Sequence, residues 1–504
     1  MKALLIRFAS VLIALSIPVV AASPKQAKQA SPVKQAAIPA HYTDIVPAID
    51  VYEPPYPPDY RVELNGGAVA YLVPDSTLDL VRFTVLSPGS YLPANPTEVA
   101  TRQLYSSLLK DGGTKALTPS QVEDSLEFIA AGLSAGTGVW QSSAGFDALS
   151  KDADAMMGLL ADVVLQPRND AAVFKLMQRR MQEGVKHRYS TPGAVAGALY
   201  ERVMYGSHPT NWAATEAEIG GAKPQDIRTL NGTGFARERL VIGVAGKFDR
   251  ADMIRKLNAF VARFPDVRGA RLADTTPAFR GALSAGVYLV DKPFSQTTLR
   301  LALPGVQRPH PDYYRLAVAS YILGDGGFTS RLMQKVRSDE GLAYGVGSEV
   351  VSDYNRRGTV YVNMQTKAAT GAYAVRIARE EIRRMASDGI TDAELAKAKD
   401  GLLQSLPSLF DSPAATARIF TQSEAWKRSP DHFRNYRSTI QNMTRAEVED
   451  AFRRYFVADS LRILAVGPKN VLLAPDALHG GASLNDFGTV TEITESDLDK
   501  REKP

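Results

Sequence analysis

Arg337 and Tyr344 stand seven positions apart in the segment SRLMQKVRSDEGLAYGV (330–346), and both side chains end in hydrogen-bond donors. A guanidinium and a phenol hydroxyl can support a carbonyl oxygen that gains negative charge when water attacks it. Residue type alone favours a structural role instead, with the arginine paired to a carboxylate and the tyrosine buried in the core. Their function therefore depends on the surrounding pattern.

The histidines do not have the spacing of a zinc-binding helix. Such a helix presents two imidazoles at positions i and i+4 on one face. No two histidines of this chain are three or four residues apart, so the sequence predicts no metal site, and His208, which precedes a proline after a turn, is expected to be structural. The six are His41, His187, His208, His310, His432 and His479.

A second hydrolase signal is GLSAG (132–136), which fits the GxSxG pattern with Ser134 as nucleophile. That pattern requires a helix directly after the serine. The following residues, TGVWQSSAGF, alternate as in a strand, so the match is interpreted as chance.

Composition sets the scale of the structure that must position these residues. A chain of 504 residues, 45% hydrophobic and 22% charged, can bury a large core and predicts two or more domains. The absence of cysteine excludes disulfides and a cysteine-held metal, which suits a protein stabilised by packing in a bacterial periplasm. No dense Lys/Arg stripe is present, so nucleic acid is not an expected partner.

The first residues have the layout of a cleaved secretory signal. Lys2 and Arg7 precede an apolar run over 8–20 and then small residues, which predicts a signal peptide over 1–22 and an exported, periplasmic protein. The alternative is a membrane anchor, but the run is shorter than the roughly 20 residues that a spanning helix needs. Residues 23–58, rich in Pro, Ala and Lys, predict an extended linker or arm.

Helices and strands can be recognised locally. Asn65–Gly67 between two alternating runs predicts a hairpin. A threonine followed three residues later by Gln or Glu predicts a helix start, and three such starts are Thr118, Thr391 and Thr444.

Three segments of the first half are echoed in the same order in the second. DLVRFTVLSPG (79–89) matches TTLRLALPGV (297–306), GLSAGTGVWQSSAGF (132–146) matches YGVGSEVVSDYNRRGTVYV (344–362), and LVIGVAGKFD (240–249) matches LRILAVGPKN (461–470). The repeat predicts two copies of one α+β unit over 59–265 and 280–475, each a mainly antiparallel sheet packed with helices. The tail over 476–504 is expected to be disordered.

With these segments the chain resembles the insulinase/pitrilysin metallopeptidases, also called inverzincins, over nearly all of its mature length. LLKDGGT (108–114) and YGSHPTN (205–211) carry the resemblance in the first half, and VDKPFSQ (290–296) and VADSLRILAVGP (457–468) carry it in the second. The Arg337–Tyr344 spacing is the strongest signature. The resemblance implies that these two residues position substrate and support the oxyanion, and that each pair of domains forms a half-clamshell.

The zinc motif of that family is missing. Aligned on ATRQLYSSLL (100–109), the HxxEH positions fall on Gln103, Ser106 and Ser107, and the third-ligand position falls at Gly184, beside Glu183. Neither an amide nor a hydroxyl replaces an imidazole ligand or a carboxylate base. The resemblance therefore implies a chain without zinc.

The glycines of LGDGGFTSRL (323–332) have two interpretations. Gly324, Gly326 and Gly327 lie where the non-catalytic subunit of mitochondrial processing peptidase has a mobile loop that contacts substrate. A helix start that needs positive φ explains them as well.

Together these features predict the non-zinc subunit of a heterodimeric peptidase. A homologous partner chain would hold the zinc, unfolded peptides would be the substrate, and this chain alone would be inactive. The alternative is a catalytically silent structural or peptide-binding homologue.

Overall fold

The computed structural model describes residues 52–89, 93, 95–206, 208–266 and 283–501. The predicted signal peptide, most of the predicted linker and most of the connection between the two repeats lie outside the described residues. None of the helices in these ranges combines the length and apolar character needed to cross a bilayer.

The first sheet has six strands in the order β1-β2-β6-β3-β5-β4. The predicted hairpin around Asn65–Gly67 is confirmed, since β1 and β2 pair antiparallel across it. Only β2 and β6 are parallel; the other neighbours are antiparallel. The strands are β1 (Arg61–Glu63), β2 (Val69–Pro74), β3 (Leu80–Pro88), β4 (Gly132–Thr137), β5 (Gln141–Leu149) and β6 (Val241–Gly246).

The second sheet repeats the first, with the order β12-β7-β11-β8-β10-β9. Each echoed pair of sequence segments occupies the same place in its sheet: β3 corresponds to β8, the β4–β5 hairpin to β9–β10, and β6 to β11. The predicted α+β class with two homologous, mainly antiparallel sheets is confirmed. The strands are β7 (Gly286–Asp291), β8 (Gln296–Pro304), β9 (Ala343–Val351), β10 (Thr359–Lys367), β11 (Arg462–Gly467) and β12 (Val490–Glu492).

The expectation of a disordered tail is wrong for 476–501. Strand β12 adds to β7 in parallel and completes the second sheet, at the edge where β1 completes the first. Beyond it, Asp499 accepts hydrogen bonds from Arg188 (2.8 Å) and Tyr189 (2.7 Å), and Arg501 pairs with Glu218. Composition suggested disorder because the tail is charged, but those charges have fixed partners in the first half.

The helices of the first half begin and end at positions that the local sequence explains. The Thr118–Gln121 capping box is present at α3 as predicted. These helices are α1 (Pro57–Tyr60), α2 (Pro96–Asp111), α3 (Pro119–Phe128), α4 (Ala153–Leu165), α5 (Ala171–Lys186), α6 (Pro192–Tyr205), α7 (Glu216–Gly221), α8 (Pro224–Arg228) and α9 (Arg250–Ala262).

Over the described residues 283–501, the second half adds eight α-helices and two π-helical segments, Tyr321–Asp325 and Met333–Asp339. Capping boxes at Thr391 and Thr444 are confirmed. The helices are α10 (Asp312–Ser320), α11 (Gly371–Asp388), α12 (Asp392–Gln404), α13 (Pro413–Ala425), α14 (His432–Asn442), α15 (Arg445–Tyr455), α16 (Lys469–Leu472) and α17 (Glu495–Leu498).

The two halves exchange a helix. Helix α6 of the first half packs on the second sheet, where Leu199 and Val203 join Val466 in one buried cluster. Helix α13 of the second half packs on the first sheet, where Phe420 joins Val241. Each half therefore has a core of its own, and smaller buried clusters contain residues of both halves.

The described end of the N-terminal arm lies against this chain's own second half. The Arg434 guanidinium of α14 lies 3.3 Å from the ring centroid of Tyr56, and Arg437 donates to the carbonyl of Tyr52 at 3.4 Å. Pro57 is buried. This part of the arm is docked on α14.

Candidate functional site

The predicted pair Arg337 and Tyr344 is brought together by the structure. Arg337 lies on the second π-helical segment, and Tyr344 is the second residue of the edge strand β9. The guanidinium carbon is 4.7 Å from the ring centroid of Tyr344 and 4.8 Å from that of Phe328. Arg337 is therefore held between two aromatic rings.

A tight connection places the two residues side by side. The amide of Gly341 donates to the carbonyl of Arg337 (3.1 Å), and the amide of Leu342 donates to that of Val336 (2.9 Å). Gly341 has φ +63°, a conformation that L side chains rarely adopt. The chain reverses here and enters β9, which brings residue 344 under residue 337.

The stack faces solvent. Tyr344 is 87% exposed and Phe328 is 67% exposed. Within the described ranges no carboxylate pairs with Arg337, so the structural interpretation, an ion-paired arginine beside a buried tyrosine, is wrong. A ring contact of this kind does not use the N–H groups of the guanidinium, which can donate to an acceptor from another molecule.

Phe328 is a residue that sequence reasoning missed. It follows Gly327 in the glycine-rich segment that had already been singled out, and a lone phenylalanine among Gly, Thr and Ser is a signal that could have marked it. Its ring centroid lies 4.8 Å from the guanidinium carbon of Arg337.

Packing and backbone conformation account for the three glycines of this segment. A Cβ on Gly324 would lie 2.3 Å from the amide nitrogen of Ser348, and one on Gly326 would lie 2.7 Å from the carbonyl oxygen of Tyr321. Gly327 has φ +59° with open space around it. Positive φ therefore explains only Gly327, and contact of the segment with substrate stays a prediction.

Ser106 and Ser107, at two of the positions aligned with the zinc motif, form local hydrogen bonds. Ser106 Oγ on α2 accepts from the amide of Thr137 in β4 at 3.0 Å, and Ser107 Oγ donates to the carbonyl of Gln103 at 3.1 Å. Helix α2 packs on α5, which carries Gly184 without a side chain to offer. This donor set does not fit zinc.

Glu183 is engaged with its helical neighbours. Its carboxylate contacts Lys186 at 3.2 Å and His187 at 3.1 Å, and the hydrogen bond from Lys186 and then that from His187 lower its pKa. No group of three His, Asp or Glu side chains able to hold a metal ion occurs in the part of the chain that the structure describes.

The other two candidates are structural. Ser134 lies within β4 and is followed by β5 rather than by a helix, so the rejection of a nucleophile elbow is confirmed. His208 Nδ1 bonds Thr210 Oγ1 at 2.7 Å and caps the short turn over Pro209–Asn211.

The degenerate zinc positions and the Arg337–Tyr344 pair lie on different sheets. Helix α2 packs against β4, an edge strand of the first sheet, and Tyr344 lies on β9, the corresponding edge of the second. No hydrogen bond, ion pair or ring contact within the described residues links them. The pair and helix α2 therefore make no direct contact within the described residues.

Part of the chain matches a known protein family. Residues 223–402 match the peptidase M16 inactive domain. An uncharacterized zinc protease of Mycobacterium leprae is 27% identical over 259 residues, covering 50% of this chain and 57% of that protein, so the match spans little more than half of that relative's length. The non-peptidase homolog YmxG of Helicobacter pylori is 22% identical over 413 residues, covering 81% and 94%.

A solved structure has the same fold. The crystal structure of a peptidase M16 inactive domain from Pseudomonas fluorescens superimposes with a TM-score of 0.69 at 22% identity, covering 81% of this chain and 97% of that one.

Proposed function

We propose that this chain, a homologue of the M16 (insulinase/pitrilysin) peptidases whose residues 223–402 match the peptidase M16 inactive domain, is the zinc-free subunit of a heterodimeric metallopeptidase. A homologous partner chain would bind the zinc, and this chain would supply Arg337 and Tyr344 to unfolded peptides held between the two. The observation that carries the proposal is the outward-facing stack: Tyr344 is 87% exposed, and Arg337 has no carboxylate partner among the described residues.

The chemistry of the two groups suits peptide hydrolysis in trans. Attack of water on a peptide carbonyl places negative charge on the oxygen, and a guanidinium and a phenol hydroxyl can both donate hydrogen bonds to it. The partner's zinc would supply the Lewis acid. Since no carboxylate among the described residues pairs with Arg337, its full charge is available to the substrate.

A silent homologue is the second candidate. The relative from Helicobacter pylori is described as a non-peptidase homolog, and no metal-binding group occurs among the described residues of this chain. In that case the fold would bind peptides or partners without contributing to hydrolysis, and the stack would have no effect on turnover.

Reconstitution separates the two. The purified chain with zinc is expected to leave a quenched fluorescent peptide uncut, whereas its mixture with a homologous chain that carries HxxEH should cleave it. Arg337→Ala or Tyr344→Phe should lower kcat/KM of the mixture roughly 10²-fold, the usual effect of losing one oxyanion donor.

The matched control is Arg250→Ala, because Arg250 is exposed at the start of α9 on the first half. Co-elution of each variant with the partner must be unchanged for the rates to be compared. If Arg337→Ala and Tyr344→Phe both leave the rate intact, the silent homologue is correct. Stoichiometric zinc and turnover in the chain alone would contradict both candidates.

We also propose that the protein is exported to the periplasm. The support is the sequence over 1–22 and the absence of cysteine. Cell fractionation of the full chain against a chain that lacks residues 1–22 tests this, and equal distribution of the two would contradict it.

A further inference from the structure

A cavity of about 320 Å³ in the second half is lined by positive and aromatic side chains. It lies beside α10, the segment before α13, and the start of α14. Neither Arg337 nor Tyr344 reaches it, so it is separate from the site described above. Its arginines are Arg308, Arg418 and Arg428, and its aromatic walls include Tyr314, Trp426 and Phe433.

The three arginines have no acidic partner. No Asp or Glu side chain lines the cavity, and within the described residues none forms an ion pair with Arg308, Arg418 or Arg428. The Nε atom of Arg308 is buried without any hydrogen-bond partner. Because a desolvated, unsatisfied cationic donor is costly, such a group is expected to meet an anion.

Neighbouring side chains hold two of the guanidinium groups in place. That of Arg308 lies 3.5 Å from the ring centroid of Tyr313. Arg428 donates through Nε to the hydroxyl of Tyr354 (2.9 Å) and through Nη1 to Ser423 (3.3 Å). Both arginines retain N–H groups that these contacts do not use, in the planar arrangement that matches a carboxylate.

His432 adds polarity but no charge. Its ring nitrogens lie 3.1 and 3.2 Å from the hydroxyl of Tyr314. Burial, reinforced by Arg428 and Arg308, lowers the pKa of His432 to about 3. The positive charge of the cavity therefore comes from arginines, which remain protonated at any physiological pH.

We infer that this cavity binds an organic carboxylate that carries an aromatic group. The guanidinium groups match the carboxylate, the rings of Tyr314, Trp426 and Phe433 match the aromatic part, and the volume lies at the small end of the range for ligand sites. The ligand can be a free aromatic acid or the C-terminal residue of a peptide, since both present this chemistry.

One observation bears on the source of the carboxylate. Gln422 and Trp426 also line a larger neighbouring cavity of about 680 Å³. The two cavities are therefore neighbours, and a peptide whose last residue fills the smaller one is a source that the titration below distinguishes from a free acid.

Titration of the purified full chain tests the inference, with isothermal calorimetry as the readout and quenching of tryptophan fluorescence as support. The probes are N-acetyl-phenylalanine, N-acetyl-phenylalaninamide, 3-phenylpropionate and a pentapeptide that ends in phenylalanine. Both acids and the peptide should bind at least about tenfold more tightly than the amide, because a charged hydrogen bond is lost with the carboxylate. A pentapeptide affinity well above that of 3-phenylpropionate identifies the peptide terminus, and the reverse identifies a free acid.

Two variants test the arginines. Arg308→Met should weaken binding of N-acetyl-phenylalanine about tenfold or more. Arg418→Gln changes an exposed residue at the cavity and should weaken it to a smaller degree without affecting folding, which keeps the test decisive if Arg308→Met unfolds.

The matched control, Arg250→Gln, should bind as the unsubstituted chain does. Equal affinity for the acid and the amide would overturn the inference. Unchanged binding in Arg418→Gln would also overturn it, provided that Arg308→Met either binds unchanged or does not fold. Peptidase activity is not used in the assay, so its outcome does not depend on the proposed heterodimer.

Discussion

Two aromatic rings occupy the place at Arg337 that a carboxylate takes beside most surface arginines. An exposed ion pair would contribute little to stability and would neutralise the charge. The stack between Phe328 and Tyr344 instead restricts the guanidinium while leaving its in-plane donors unused. Orientation without neutralisation is what a residue needs if it acts on a molecule from outside the chain.

Phe328→Leu is expected to lower kcat/KM of the reconstituted peptidase about threefold to fivefold. An exposed cation–π contact contributes roughly 0.5–1 kcal/mol, and its loss frees Arg337 to adopt other rotamers. The measurement is peptide cleavage with saturating partner.

The control for Phe328→Leu is Phe128→Leu, since Phe128 is 91% exposed at the end of α3 and far along the chain from the stack. Equal effects of the two changes would contradict a specific role for Phe328.

His432 predicts how stability depends on pH. Its pKa in the folded chain is lowered to about 3, so the unfolded chain binds a proton below about pH 6.5 that the folded chain does not. Its contribution is fully present above pH 6.5 and is lost as pH falls from there toward 3, with a slope of up to about 1.4 kcal/mol per pH unit. Urea unfolding at pH 7, 6 and 5 should show this decline.

His432→Gln is the comparison for that measurement, because glutamine keeps a polar side chain near Tyr314 but does not titrate. The variant should lose less stability than the parent chain between pH 7 and pH 5. Parallel pH profiles would show that His432 is protonated in the folded chain.

For helices and strands, the sequence predicted interactions between residues close together in the chain. It did not predict pairing between residues far apart in the chain. The capping boxes at Thr118, Thr391 and Thr444 each join two residues three positions apart. Both partners can therefore be recognised in the local sequence. Strand β12 forms only because β7 offers an open edge, and Asp499 is ordered by Arg188 and Tyr189 about 310 positions away. The residues around position 490 do not indicate which distant residues they pair with.

The same distinction applies to the candidate site. The spacing of Arg337 and Tyr344 marked the pair, but whether they faced the core or solvent depended on the turn at Gly341 and on Phe328. Whether a side chain is exposed depends on how the whole chain packs. The residue types alone favoured a buried tyrosine and an ion-paired arginine, and that prediction was wrong.

Ending the chain after Gly488 should destabilise it by at least about 2 kcal/mol. The change removes β12 and buried Ile493, and burial of one such side chain alone contributes about 1.5–3 kcal/mol. It also leaves Arg188 and Tyr189 without Asp499. Urea midpoints measure the effect.

Ending the chain after Arg501 keeps β12, Ile493 and Asp499, and should leave the midpoint unchanged. If both truncations unfold at the parent's midpoint, the ordered tail adds nothing to stability.

At the scale of the whole molecule, the exchange of α6 and α13 joins the two repeats more firmly than a linker would. Each sheet has one face covered by a helix from the other half. The substitution Phe420→Ala should lower the free energy of unfolding by about 3–5 kcal/mol, because Phe420 is fully buried against the first sheet.

Residues 52–266 and 283–501, produced separately, are therefore expected not to fold, whereas their co-expression should yield a soluble complex. Each isolated half would expose the sheet face that the exchanged helix covers. Circular dichroism melts and size-exclusion chromatography of the three samples provide the measurement. A separate half with a cooperative transition near that of the intact chain would contradict this view of the core.

The contact between α13 and β6 also limits how the two repeats can diverge. A Cβ on Gly243 would come within 2.8 Å of the methyl carbon of Thr421, so a larger residue at 243 requires a smaller one at 421. Although the repeats are duplicates, drift at these two positions must be correlated across nearly 180 residues. Aligned homologues should show that covariation. A chimera that takes one repeat from a distant homologue should be destabilised first at the contact between positions 243 and 421.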